Sequence, residues 1–196
     1  MSIDLQDRAN SYHKAFPNYP RLVVDRGWLY GAWQIGNYYK RKYGFYGEYP
    51  PSYLKRILSV FPEAREVLHL FSGSLGKGYF EGGVSYYTWD SDPVNGADVV
   101  LPVSELPSHS SFSFDLILGD PPYNKAAEEV YGQPSVNKKQ AFRDCALILA
   151  PGGFLVWLDT VVPIYRKVDY NYIGQIVLYT GTNRVIRLIS IFERVS

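Results

Sequence analysis

Phe114-Asp115-Leu116-Ile117-Leu118-Gly119-Asp120-Pro121-Pro122-Tyr123 joins an apolar run to a corner that carries a carboxylate, two prolines and a phenol. The run has the composition of a strand buried on both faces, as found in sheets covered by helices. Two consecutive prolines lack backbone N–H groups and hold φ near −65°, so the corner is stiff and its carbonyls can accept hydrogen bonds. With Asp120 on one side and Tyr123 on the other, it suits a flat molecule bearing an amino group. The plainer reading of the same residues is a rigid strand exit in which Asp120 only forms the turn.

Working outward, Val67-Leu68-His69-Leu70-Phe71 reads as a buried strand feeding the glycine-rich turn Ser72-Gly73-Ser74-Leu75-Gly76-Lys77-Gly78. Further strands are predicted over 85–89, 98–101 and 154–158. Leu54, Ile57, Leu58 and Phe61 recur at helical spacing, which predicts one short amphipathic helix ending near Phe61-Pro62. Phe142, Cys145, Ala146 and Leu149 share another helical face, and Pro151-Gly152-Gly153 is predicted to stop that helix. Two β-rich runs, 172–180 and 184–194, flank Gly181-Thr182-Asn183 and predict a terminal hairpin. Strands alternating with connectors argue for an open α/β sheet, in which ligands bind beyond the carboxyl ends of the strands at the topological switch point. The clearest compositional boundary, at Pro50-Pro51-Ser52, divides an N-terminal basic aromatic extension (1–50), expected to pack on the core, from the main domain (51–196).

The 196 residues are 46% hydrophobic, enough for one globular domain, and the formal charge of +1 announces no global field for a polyanion. Residues 1–60 are locally different, with nine Lys and Arg against four acids among many tyrosines and tryptophans. Such interleaving suits stacking on bases beside phosphate neutralisation, and it equally suits a cap whose rings pack on the core while its charges are solvated. Cys145 is the single cysteine, so no internal disulfide or cysteine-cluster zinc site is expected. His13, His69 and His109 lack ligand spacing and read as structural, so no metal is expected. No apolar run approaches the roughly 18 residues of a membrane span, which predicts a soluble cytoplasmic protein with no membrane partner.

The tetrapeptide Asp120-Pro121-Pro122-Tyr123, placed after a buried strand, resembles the fourth motif of the S-adenosylmethionine-dependent amino-methyltransferases. Its form is typical of N6-adenine DNA methyltransferases and also occurs in some guanine-N2 RNA methyltransferases. The resemblance covers roughly residues 67–195. It implies a Rossmann-like class I methyltransferase fold: a mostly parallel open sheet with a C-terminal antiparallel hairpin and helices on both faces.

It also implies transfer of a methyl group from S-adenosylmethionine to a nucleobase amine, N6 of adenine in DNA above all, with an RNA base amine or a catalytically silent subunit as alternatives. By the same resemblance, Asp120, Pro121, Pro122 and Tyr123 would be catalytic, with Asp120 also facing the cofactor. Phe71, Ser72, Gly73 and Ser74 would curl under the methionine part of the cofactor, although Leu75 stands where the family has a second glycine. Asp90 would accept from the ribose hydroxyls, and Tyr49 and Pro50 fall where these enzymes keep a further cofactor motif. Tyr123, Asn124 and Lys125 would meet the substrate, with Lys40, Arg41 and Lys42 as its basic contacts. A nucleic acid, DNA before RNA, is the implied partner, and a recognition subunit or homodimer would supply what so short a chain lacks.

Overall fold

The computed structural model describes residues 3–36, 49, 52–75, 83–109, 113–123, 136–180 and 186–195. In chain order these form α1 (Leu5–Ala15), β1 (Val23–Asp25), β2 (Trp28–Ile35), α2 (Tyr53–Val60), β3 (Glu66–Leu70), β4 (Ser85–Asp90) and β5 (Val99–Val100). They continue with a 3-10 turn (Val103–His109), β6 (Phe114–Gly119), α3 (Lys138–Ile148), β7 (Leu149–Asp159), β8 (Tyr170–Thr180) and β9 (Ile186–Arg194).

All nine strands described belong to one sheet, ordered β1-β2-β8-β9-β7-β6-β3-β4-β5. The block β5-β4-β3-β6-β7 is parallel, and β9 lies antiparallel to both β7 and β8. This is the mostly parallel sheet with an antiparallel C-terminal pair expected from the sequence. The Gly181-Thr182-Asn183 turn predicted between β8 and β9 lies outside the described residues.

Strand alternation sends side chains to two cores. On one face Val67, Leu116, Leu118, Phe154, Val156 and Leu158 pack under α1 and α2; on the other Leu68, Leu70, Ile117, Leu155 and Trp157 pack under α3 and the 3-10 turn. Burial on both faces explains why the central strands read as continuous apolar runs.

The chain runs from β3 outward to β4 and β5, then returns to the other side of β3 as β6 and continues to β7. The strand order therefore reverses between β3 and β6, the kind of switch point at which open α/β sheets bind ligands beyond the carboxyl ends of the strands. Leu70, the last residue of β3, pairs with both Trp89 and Gly119, so the ends of β3, β4 and β6 reach one edge together.

Three features differ from the sequence reading. Pro151-Gly152-Gly153 does not end the helix: α3 stops at Ile148 and the tripeptide lies inside β7, where Gly152 takes φ +73° and the β6–β7 register shifts. A side chain on Gly153 would stand 2.9 Å from the Ala150 carbonyl and 3.1 Å from that of Asp115, so the two glycines form a bulge. Secondly, the predicted strand 98–101 shrinks to Val99–Val100.

Thirdly, the N-terminal segment supplies two strands to the sheet itself, β2 running parallel to β8. Two cations of the basic region 1–60, rather than being solvated, are buried among rings. The Arg8 guanidinium lies 4.3 Å from the Phe154 centroid and pairs with Glu63, while Arg56 lies 4.1 Å from the Tyr19 ring and donates to the Tyr12 hydroxyl at 3.3 Å. Tyr12 and Trp33 stack in the same core, whereas Trp28 and Tyr30 stay exposed.

The β2–β8 pairing leaves no room at Gly174, where an added Cβ would stand 2.6 Å from the Leu29 carbonyl oxygen. Gly174→Ala is expected to destabilise the protein by about 1–3 kcal/mol in chemical denaturation, the range for overpacking a tight site. An unchanged midpoint would contradict the placement of β2.

Candidate active site

The candidate site is built from strand ends. Phe71 directly follows β3 with φ +59°, a conformation that costs a non-glycine residue energy and is met most often at functional turns. Its ring packs edge-on against Trp157 at 5.9 Å, so Phe71 shapes the turn through its backbone and anchors it through its side chain. Gly73 then takes φ +54°, which glycine adopts without strain. The Gly73 N–H donates to Asp90 Oδ2 at 2.8 Å, tying the turn after β3 to the end of β4. Asp90 Oδ1 accepts from the Asp92 N–H at 2.8 Å and from Asn95 Nδ2 at 3.1 Å. Ser72 is buried, and its hydroxyl has no hydrogen-bond partner among the described residues. Ser74, by contrast, is exposed.

Asp120 follows Gly119 at the end of β6. Trp157 of β7 lies so close that a Cβ on Gly119 would stand 2.4 Å from its ring, which fixes where the Asp-Pro-Pro corner begins. Pro121 is buried and Pro122 half-buried. The Tyr123 hydroxyl donates to Asp120 Oδ1 at 2.6 Å, and the Arg187 guanidinium of β9 stands 5.1 Å from the Tyr123 ring centroid. Burial pushes the Asp120 carboxyl up to about 6, opposed by the Tyr123 hydrogen bond and the Arg187 charge. Burial, reinforced by the Asp120 charge, holds the Tyr123 phenol protonated.

Tyr49 is buried, its ring stacked on Tyr53 at 4.8 Å and 10° and turned edge-on to His69 at 6.2 Å. Burial and the nearby Asp120 charge raise both phenols well above their ordinary range. His69 is enclosed on β3, where burial lowers its pKa to about 3 and keeps the imidazole neutral.

The structure thus brings Ser72, Gly73 and Asp90 together at the ends of β3 and β4, and Asp120, Pro121 and Tyr123 past the adjacent end of β6, with Tyr49 near Asp120. Pro50, Asn124, Lys125, Lys40, Arg41 and Lys42 lie outside the described residues. Three neighbours carried no sequence signal. Arg187 belongs to a strand read only as half of a hairpin. Lys138 and Asp159 form a 2.7 Å ion pair whose charges are both felt at Asp120. Asp159 ends β7 as Asp90 ends β4, and that shared strand-end position was its one available cue.

Asp90 keeps acceptor capacity on Oδ2, the Ser72 hydroxyl has no hydrogen-bond partner among the described residues, and Asp120 stands across the switch point. Among the described residues no cluster of His, Cys, Asp or Glu could hold a metal ion, and no helix is long and apolar enough to cross a membrane.

Solved structures share this fold. The structure is similar to that of TrmN from Thermus thermophilus, with a TM-score of 0.54 at 16% identity over 75% of this chain and 49% of that one. The fold is that of the class I methyltransferases. The chain spans about half the length of TrmN. The putative methyltransferase yhhF from Escherichia coli gives a TM-score of 0.47 at 11% identity, over 73% of this chain and 84% of that one. The N-methyltransferase NodS from Bradyrhizobium japonicum WM9 gives 0.44 at 12% identity, over 68% and 87%. No family model and no curated protein sequence matches the chain.

The raised Asp120 pKa has a stability consequence with a definite sign. An acid whose folded pKa lies above its unfolded value binds protons more tightly in the native state, so stability falls as pH rises from about 4 to 6. Asp120→Asn, which keeps an acceptor for Tyr123, is expected to be more stable than the unaltered protein by about 1–3 kcal/mol at pH 7. The difference should vanish below pH 4 in urea unfolding. A variant less stable at pH 7 would show that partners outweigh burial at this carboxylate.

Proposed function

We propose that the protein transfers a methyl group from S-adenosylmethionine to an exocyclic nucleobase amine, N6 of adenine in DNA being the favoured target. On this reading residues 51–196 form the methyltransferase domain and residues 1–50 its extension. The observation that carries the proposal is the Asp120-Pro121-Pro122-Tyr123 corner standing at the switch point of a class I methyltransferase sheet, across from the Gly73–Asp90 turn.

S-adenosylmethionine, when bound, supplies an electrophilic methyl carried by a sulfonium. In this chain Asp90 would hold the ribose hydroxyls, and Ser72 with the Gly73 turn would hold the methionine end. Gly73 already occupies one Asp90 oxygen, so that carboxylate would share its acceptor sites between the turn and the cofactor.

A nucleobase amine is a weak nucleophile because its lone pair is delocalised into the ring, and positioning therefore carries much of the catalysis. The Asp120 carboxylate and the Pro121 carbonyl would accept from the two amine hydrogens, which directs the nitrogen lone pair toward the methyl group. The carboxylate also stabilises the positive charge that grows on nitrogen as the new bond forms. With its pKa at about 6, Asp120 is mostly ionised at neutral pH, the state needed to accept both hydrogen bonds and charge. Tyr123 would offer its ring to the base. Its hydroxyl now holds Asp120 Oδ1, so the arriving amine would share that oxygen or displace the phenol. A base within a duplex must be flipped out to reach such a corner, at a cost of a few kcal/mol.

The test is methyl transfer from labelled S-adenosylmethionine to DNA, RNA and protein under identical salt. The expected result is label in DNA recovered as N6-methyladenine, with loss of at least about a hundredfold in Asp120→Ala, as for removal of one charge-stabilising group. Greater transfer to RNA would move the substrate to RNA while leaving the chemistry intact. Near-normal activity in Asp120→Ala would remove the proposed role of the corner.

A further inference from the structure

Arg187 takes no part in the methyl transfer described for Asp120 and Pro121. Arg187 lies on β9, and its neighbour Leu188 pairs with Asp159 at the end of β7, so the antiparallel course of β9 carries Arg187 to the same sheet edge as Asp120. Ile189 and Ile191, two and four residues on, join the core under α2, which places Arg187 on the face where Tyr53 and Tyr49 stack. Its guanidinium stands 5.1 Å from the Tyr123 ring centroid, and the Tyr123 hydroxyl is 2.6 Å from Asp120 Oδ1.

Arg187 Nε is buried with no hydrogen-bond partner among the described residues. A charged donor in that condition is costly, because the water it has lost is not replaced. A partner that arrives with the substrate would recover the cost, and Nε–H can only donate. Among the described residues a carboxylate acceptor and an unsatisfied donor therefore flank the same aromatic ring.

We propose that Arg187 reads the Watson–Crick edge of the target base, donating to the ring nitrogen beside the amine that Asp120 accepts. This rests on the amino-methyl reading of the site and narrows it. Adenine offers such an edge, an N6 amine donor next to the N1 acceptor. Guanine carries an N1–H there, which would face Arg187 donor to donor. Arg187 is in this account a specificity-determining residue that touches substrate, while the methyl acceptor is held by Asp120.

The test is a functional-group cycle on single-stranded oligonucleotides carrying either adenine or 1-deazaadenine, which keeps the amine and replaces N1 by C–H. In the unaltered protein, kcat/KM is expected to fall about 10- to 100-fold on 1-deazaadenine, as for loss of a hydrogen bond to a charged group. In Arg187→Met the two substrates should differ by no more than about twofold, because the donor is already gone. A residue that only supported Tyr123 would slow both substrates equally and leave the ratio unchanged. The comparison in the unaltered protein needs no variant: transfer to adenine with no 1-deaza penalty overturns the proposal and leaves the amino-methyl reading standing. An equal penalty in folded Arg187→Met does the same. No transfer to any base by the unaltered protein overturns both.

Discussion

Gly119 has no side chain, and the Trp157 ring fills the space where one would begin. The site rests on that contact. It sets β6 and β7 side by side at their carboxyl ends, and the chain leaves β6 at once into two prolines that cannot rejoin the sheet. The same indole is flanked by Phe71 from the turn after β3 and by Phe142 of α3. One buried ring thus holds the turn after β3, the corner after β6 and the covering helix in fixed relation.

Around this anchor stand three carboxylates, each at or just past a strand end and each in a different environment. Asp90 accepts from two backbone N–H groups and one amide, which braces the Gly73 turn and leaves acceptor capacity on Oδ2. Asp159 is buried but neutralised by Lys138. Among the described residues Asp120 has a phenol hydroxyl as its hydrogen-bond partner and an arginine nearby, and burial pushes it up to about 6. Placing similar groups in unlike surroundings is how a fold assigns them different tasks. On the proposed reading, the least compensated of the three is the one that would accept from an incoming amine.

The central strands and the Asp120 corner were legible in the sequence, because burial on both faces demands apolar runs and the proline pair announces its own geometry. The N-terminal helix was not. Its buried face consists of Arg8, Ala9 and Tyr12, and an arginine stacked between phenylalanines leaves no hydrophobic periodicity to find. β2 was hidden similarly: its exposed positions include Trp28 and Tyr30, so the alternation that marks a half-buried strand is masked by aromatic residues on both faces. Pro151-Gly152-Gly153 resembles a helix stop, yet tertiary pairing with β6 drew it into a bulge. Arg187 looked like the polar side of a hairpin, and only the order of strands in the sheet carries it beside Tyr123.

The central claim is that the ends of β3, β4 and β6 together form a cofactor site with the reactive corner on its far wall. Calorimetric titration of the purified protein with S-adenosylmethionine tests it most directly. The account predicts one saturable site per chain, weakened at least about tenfold by Asp90→Ala, as for loss of a charge-assisted hydrogen bond. Absence of saturable binding, or an affinity indifferent to Asp90, would contradict it.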